Sequence, residues 1–165
     1  MIPRLPAAVV ALVAGGAGAM AIAVPYITSH EGTRLSAYQD AARVWTICSG
    51  HTHAVAPGQT ADPEECRSLL QADVAASIEA VERFISVPLP ESARAALASF
   101  CFNVGQEACR KSTAFRKINE GDRAGGCHDL RRWVFVGKKD CRDPANNCRG
   151  LVHRREQEVA LCLLP

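Results

Sequence analysis

Eight cysteines lie in this chain of 165 residues, and all of them stand at or after Cys48. None forms a Cys-x-x-Cys pair, and their spacings match no zinc template. A disulfide framework made in an oxidising compartment is the better reading. Eight cysteines permit on the order of a hundred connectivities, so the pairing does not follow from the sequence. The set we favour is Cys141 with Cys148, Cys101 with Cys109, Cys48 with Cys66, and Cys127 with Cys162. Only the first has a local reason: Asp143-Pro144-Ala145-Asn146-Asn147 between its cysteines is turn-forming. The length suits one domain with an appendage and is enough for one sizeable core. A formal charge of +2 argues neither for nor against nucleic acid.

The stretch from His30 to Thr52 carries the residues with chemistry to offer. Glu31 opens it, and a second carboxylate, Asp40, follows nine positions later. Arg43 to Cys48 alternates polar and apolar and reads as a short strand, with Thr46 six positions after Asp40. Gly50-His51-Thr52 then turns the chain back as a hairpin. Two carboxylates and a hydroxyl suit glycoside hydrolysis, which needs an acid at the leaving oxygen and a second group across the sugar ring. No serine sits in a Gly-x-Ser-x-Gly elbow, so nucleophile chemistry has less to work with. On spacing alone, ordinary surface carboxylates are the commoner explanation.

The order of several motifs changes that balance. Glu-x8-Asp-x5-Thr, with Trp45 before Thr46 and Gly50-His51-Thr52 after it, resembles the phage-type lysozymes of glycoside hydrolase family 24. Phe100 to Gly105, Ser112 to Asp122, Arg131-Arg132-Trp133 and Gly150 to Glu156 resemble further segments of that family in the same order. The similarity runs from about Ser29 to Leu163. It implies an α+β, lysozyme-like fold with a small β-hairpin lobe, a larger helical lobe and a cleft between them.

The resemblance also implies roles. Glu31 is the general acid, which needs partial burial to hold its proton near neutral pH. Asp40 stays ionised and activates or orients water, Thr46 holds that water, and the reaction inverts the anomeric carbon. Phe102 and Asn103 resemble substrate-binding positions of the cleft, although Phe102 also suits core packing. The implied activity is that of an endolysin, an N-acetylmuramidase hydrolysing the β-1,4 bond between N-acetylmuramic acid and N-acetylglucosamine in peptidoglycan and so lysing the host cell. Most of the basic excess falls after Arg110, and a mildly basic wall suits a polyanionic cell-wall polymer, though a solvated face is the ordinary alternative. Two rivals remain: a lytic transglycosylase, and a non-catalytic wall-binding or inhibitory protein on the same scaffold. No cofactor, metal or nucleic-acid partner is expected, and the enzyme is read as a monomer.

From Leu5 to Ser29 the chain has no ionisable group besides Tyr26, and Arg4 precedes it. A helix of that length can cross a bilayer of about 30 Å. The segment is mild, mostly Ala and Val with Gly15, Gly16 and Gly18 in the middle. A cleaved signal peptide ending at Ala21-Ile22-Ala23 is one reading. A buried core helix ranks last. We favour residues 1–28 as an N-terminal apolar helix that acts as a signal anchor and is then released, as in some members of the resembling family. Residues 29–165 are then the catalytic domain, exported to the periplasm and first tethered to the inner membrane.

Downstream, Asp62-Pro63-Glu64-Glu65 starts a helix with a capping Asp, a Pro at the first position and a Glu at the third. Cys66, Leu69, Leu70, Val74, Ile78, Val81 and Ile85 follow at helical spacing, and the helix is expected to connect the lobes. Further helices are expected from Glu91 to Asn103, from Ser112, from Asp122, and from Arg149 to Leu161. The last is expected to bury Leu151, Val152 and Val159 and to show Arg154, Arg155, Glu156 and Glu158 to solvent. Trp133 to Lys139 reads equally as strand or helix end. His30 and His51 are read as hydrogen-bonding residues, Trp45 and Trp133 as core, and Arg132 as an ion-pair partner.

Overall fold

The computed structural model describes residues 4–40 and 43–165. Residues 1–3 of the expected anchor, and Ala41 and Ala42 within the expected site stretch, lie outside the described residues.

The longest helix shows how closely local sequence rules are obeyed. α3 runs from Pro63 to Phe84, and Asp62 caps it. Asp62 Oδ1 accepts the Glu64 and Glu65 N–H groups at 2.8 and 2.9 Å, while Glu65 Oε2 accepts the Asp62 N–H at 2.7 Å. This reciprocal box satisfies donors that a helix start leaves orphaned. Cys66 at one end of α3 packs with Ile47 and Cys48 in a small core, whereas Leu70, Val74 and Val81 belong to the main core. The helix therefore connects the two lobes, as expected.

The small lobe is a hairpin of β1 (Arg34–Gln39) and β2 (Trp45–Cys48), antiparallel, with Tyr38 opposite Thr46 and Gln39 opposite Trp45. β2 is shorter than the expected strand. After it, Ile47 and His51 exchange hydrogen bonds of 2.9 and 3.0 Å around Gly50, whose φ of 95° a residue with a side chain rarely adopts. A later segment returns along β1, where Ala37 N–H donates to Gln59 and Ala61 N–H to Leu35, each at 2.8 Å.

The large lobe is organised on α4 (Glu91–Val104), in which every residue from Ser92 to Cys101 except Arg94 is buried. A helix covered nearly all round sits at the centre of its lobe. Gly105 ends it with φ 88°. α5 (Gln106–Arg110), α6 (Thr113–Asn119) and α7 (Arg123–Asp129) follow, the last two capped by Ser112 and Asp122. The ambiguous stretch after Trp133 resolves as a second hairpin, β3 (Phe135–Val136) with β4 (Lys139–Asp140). α8 (Arg149–Leu163) closes the lobe.

Two expectations need correction. The N-terminal apolar segment is not one helix but two, α1 (Ala7–Ala14) and α2 (Ala19–Thr28). Gly16, at φ 72°, lies in the break, where glycine carries little strain. Glu91 then accepts the Ala19 N–H at 2.6 Å, a carboxylate at the positive end of α2. Val9, Ala19, Ile22, Ala23, Tyr26 and Ile27 are buried in the same core as Leu97 and Phe100. Among the described residues no helix is long and apolar enough to cross a membrane. The core reading, ranked last from sequence, describes the folded chain.

The second correction concerns α8. Leu151 and Val152 are only partly buried, and Arg154, Arg155 and Glu158 are 5, 0 and 0% exposed rather than facing solvent. Helical phase explains it: Arg155, Glu158, Val159 and Cys162 recur at spacings of three and four, on one face. The four disulfides are Cys48–Cys66, Cys101–Cys109, Cys127–Cys162 and Cys141–Cys148, the favoured set.

Candidate active site

Glu31 sits three residues past the end of α2, where its N–H and that of His30 both donate to Ile27 O, at 3.1 and 2.9 Å. Because Tyr26 and Ile27 are buried, the last turn of α2 fixes where Glu31 begins. Its carboxylate is partly buried, and Arg154 Nη1 donates to Oε1 at 2.6 Å. This ion pair joins residues 123 positions apart.

Behind Glu31 lies a compact charged cluster. Arg154 Nε donates to Glu158 Oε1 at 3.2 Å, and its Nη2 approaches the carbonyl and hydroxyl oxygens of Ser99 at 3.4 Å. Ser99 Oγ donates to Glu158 Oε1 at 2.7 Å. Arg155 hydrogen-bonds to Glu158 Oε2 and to Asn103 Oδ1, and its Nε reaches Trp133 O at 3.2 Å. Its guanidinium also lies 5.2 Å from the centre of the Phe100 ring. Two guanidiniums therefore meet two carboxylates, Glu31 and Glu158. Burial opposes charge on both arginines. The carboxylates outweigh it at Arg154, whose pKa is raised, but not at Arg155, whose pKa is lowered.

The hairpin brings the other two proposed catalytic residues together. Asp40 follows β1 and Thr46 lies in β2, and both hydrogen-bond to the backbone of Val44. Asp40 Oδ1 accepts the Val44 N–H at 2.9 Å, and the Asp40 N–H donates to Val44 O at 3.0 Å. The Thr46 hydroxyl donates to Val44 O, also at 3.0 Å, and its side chain is buried. A carboxylate and a hydroxyl are thus anchored on the two backbone groups of one residue, Val44, a geometry that can orient a water.

Phe102 and Asn103, neighbours on the last turn of α4, line different hollows. Phe102 borders one of about 210 Å³ with Gly50, Thr52, His53 and Gln106. Asn103 borders another of about 500 Å³ with Arg132, Trp133, Phe135 and Val136. His51 pairs with Asp73 at 2.8 Å, as a hydrogen-bonding role requires. His30 does not follow that expectation: its ring packs edge-on against Tyr26 at 4.8 Å, and its buried Nε2 has no hydrogen-bond partner among the described residues. Burial, and then the nearby Arg154 charge, lower its pKa. Trp133 packs edge-on against Phe100 at 5.3 Å, as a core residue would. Among the described residues no group of three or more His, Cys, Asp or Glu is gathered as a metal site.

Sequence reasoning missed Ser99, Arg154, Arg155 and Glu158. A signal was present, since Arg155 and Glu158 fall seven and four positions before Cys162 on the face that this cysteine must bury.

Comparison with known proteins agrees with this architecture. Residues 28–158 match the phage lysozyme family model. The chain is 43% identical over 162 residues to a SAR-endolysin of Escherichia phage 933W, covering 95% of this chain and 92% of that protein. It is 41% identical over 162 residues to a probable prophage lysozyme of Escherichia coli strain K12, with the same coverage. Among solved structures, the muramidase domain of SpmX from Asticaccaulis excentricus superposes with a TM-score of 0.75 at 33% identity, covering 87% of this chain and 95% of that one. The chain belongs to the phage lysozyme family and is a hydrolase of the endolysin type.

Proposed function

We propose that the enzyme hydrolyses the β-1,4 bond between N-acetylmuramic acid and N-acetylglucosamine in peptidoglycan. Arg154 occupies Glu31 Oε1, which leaves Oε2 to carry the proton given to the leaving oxygen. Asp40 takes a proton from a water on the opposite face of the sugar, and Thr46 helps to hold that water. Attack from that face inverts the anomeric centre. Phe102 and Asn103 bind sugar or peptide from the α4 side. The observation that carries this reading is the anchoring of Asp40 and Thr46 on the backbone N–H and C=O of Val44, on a chain that also holds Glu31 through Arg154.

The test is Glu31→Gln. Acid catalysis contributes roughly 10²–10⁴-fold, before any loss of positioning, so the folded variant should lose lysis of purified peptidoglycan by at least that factor. Wild-type lysis by a folded Glu31→Gln protein would refute the assignment. Product mass separates the rival transglycosylase, whose products end in anhydromuramic acid rather than a reducing sugar.

The N-terminal segment is proposed to export the chain and then to leave the bilayer, so that the enzyme acts in the periplasm as a monomer. Support comes from its mild composition, from the glycine break, and from the relatives described as SAR-endolysins. While residues 5–28 span a bilayer, Tyr26 and Ile27 cannot occupy the core, and Glu31 lacks the turn that positions it. Lysis should therefore wait for release. Gly15→Leu with Gly18→Leu strengthens the anchor and should leave exported but inactive protein. Unchanged lysis, or mature protein lacking the segment, would replace release with another control.

A further inference from the structure

The mechanism above uses Glu31 and, through it, Arg154, but it leaves a buried carboxylate unexplained. Glu158 is 0% exposed, on a helix whose other buried residues are Arg154, Arg155, Val159, Leu161 and Cys162. Burying a carboxylate is costly unless charge and hydrogen bonds compensate, and a neutral side chain of similar volume fills such a site more cheaply. Glu158 has compensation on every side. Oε1 accepts from Ser99 Oγ and Arg154 Nε, and Oε2 accepts from Arg155.

We propose that Glu158 is a positioning residue whose carboxylate, braced by Ser99, orients Arg154 against Glu31 and Arg155 against Asn103. One buried group thereby sets both the acid and a side chain lining the hollow beside Trp133. The geometry divides the work of Arg154: Nη1 meets Glu31, Nε meets Glu158, and Nη2 faces Ser99. With the Nε contact removed, the guanidinium can rotate and carry Glu31 with it. Arg155 behaves likewise, with one end on Glu158 and another on Asn103. The other titratable groups near Glu158 are Tyr26 on α2 and His30 just beyond it. This inference rests on Glu31 being the acid.

Glu158→Gln preserves shape and removes the charge. A misplaced catalytic group costs up to roughly 10²-fold, so kcat on a soluble peptidoglycan fragment should fall about that far, with a smaller rise in KM from the displaced Asn103. The alkaline limb of the pH–rate profile should also move to lower pH, because the excess positive charge left beside the acid opposes its protonated form. Ser99→Ala keeps every charge and removes only the brace. It should lower kcat several-fold and leave the alkaline limb in place. If Glu158→Gln does not fold, Ser99→Ala decides. A folded variant with unchanged kcat and an unchanged profile overturns the proposal, as does a rise in KM alone. Glu31→Gln measured in parallel separates the two ideas. Wild-type activity there defeats the acid assignment itself, whereas an inactive Glu31→Gln beside a wild-type-like Glu158→Gln defeats only the positioning role.

Discussion

Glu31 on one side, and Asp40 with Thr46 on the other, are held by different physics. Glu31 is fixed from behind by a buried, charge-balanced cluster set in the main core. Asp40 and Thr46 are fixed by hydrogen bonds to the backbone of Val44, on a hairpin whose own core has, among the described residues, Ile47, Cys48 and Cys66 as its buried members. The difference suits the proposed division of labour. A proton donor must keep one oxygen aimed at the leaving group, and a low-dielectric surround makes its partner strong and directional. A water-holding pair needs local order more than depth, and a hairpin stapled to α3 by Cys48–Cys66 provides it.

Substitutions that act on one side and spare the other sharpen this contrast. The largest stability effect is expected from Arg155→Met, which strands Glu158 with one fewer cation. Removing one partner of a buried pair costs about 3–5 kcal/mol. Urea unfolding measures it, and a loss below about 1 kcal/mol would mean that Arg155 is not essential to the balance. The double variant Cys48→Ala, Cys66→Ala attacks the other side. A crosslink closing a loop of this size contributes about 3 kcal/mol. Hydrogen exchange should show the Ile47 and His51 amides losing protection while those of α4 keep it. Equal loss in both lobes would dissolve the contrast.

A smaller effect is expected from Asp62→Ala, which removes the cap of the helix that joins the lobes. It should cost about 1 kcal/mol, read by thermal unfolding, and leave activity intact. The smallest concerns His30. Its pKa is lowered from 6.5 by burial and then by Arg154, so the folded state binds its proton more weakly than the unfolded chain does. The stability attributable to neutral His30 is complete above pH 6.5 and declines as pH falls toward and through the lowered value. His30→Gln should therefore lose less stability than wild type on acidification across that window. Parallel curves would remove His30 from the account.

What could be read without the structure was whatever local chemistry decides. Asp62-Pro63-Glu64-Glu65 starts α3 because its side chains satisfy the helix's own first amides, whatever surrounds them. The turn residues between Cys141 and Cys148 bring those two thiols together in the same way. Glu31, Asp40 and Thr46 were legible as an ordered pattern, although pattern alone does not say what holds each one. β1 went unnoticed because Arg34–Gln39 is mostly exposed and its alternation rests on Leu35 and Ala37 alone; its partners on both edges make it a strand.

Long-range packing decided the rest. The apolar stretch before Ser29 satisfies equally a bilayer and a protein core, since both reward burial without direction. Its place in the folded chain came from the glycine break, the Glu91 contact at Ala19 and the space beside α4. The charges of α8 read as a solvated face because an isolated ion is costly to bury. Their true setting depended on Glu31, Ser99 and Asn103, brought from more than fifty positions away. The sequence by itself determined where helices start, where the chain turns and which side chains offer acid, base and hydroxyl, because neighbouring residues settle those. Only the tertiary structure decided that Arg154, Arg155 and Glu158 go inside, because a buried charge is stable only beside partners that the fold must first assemble.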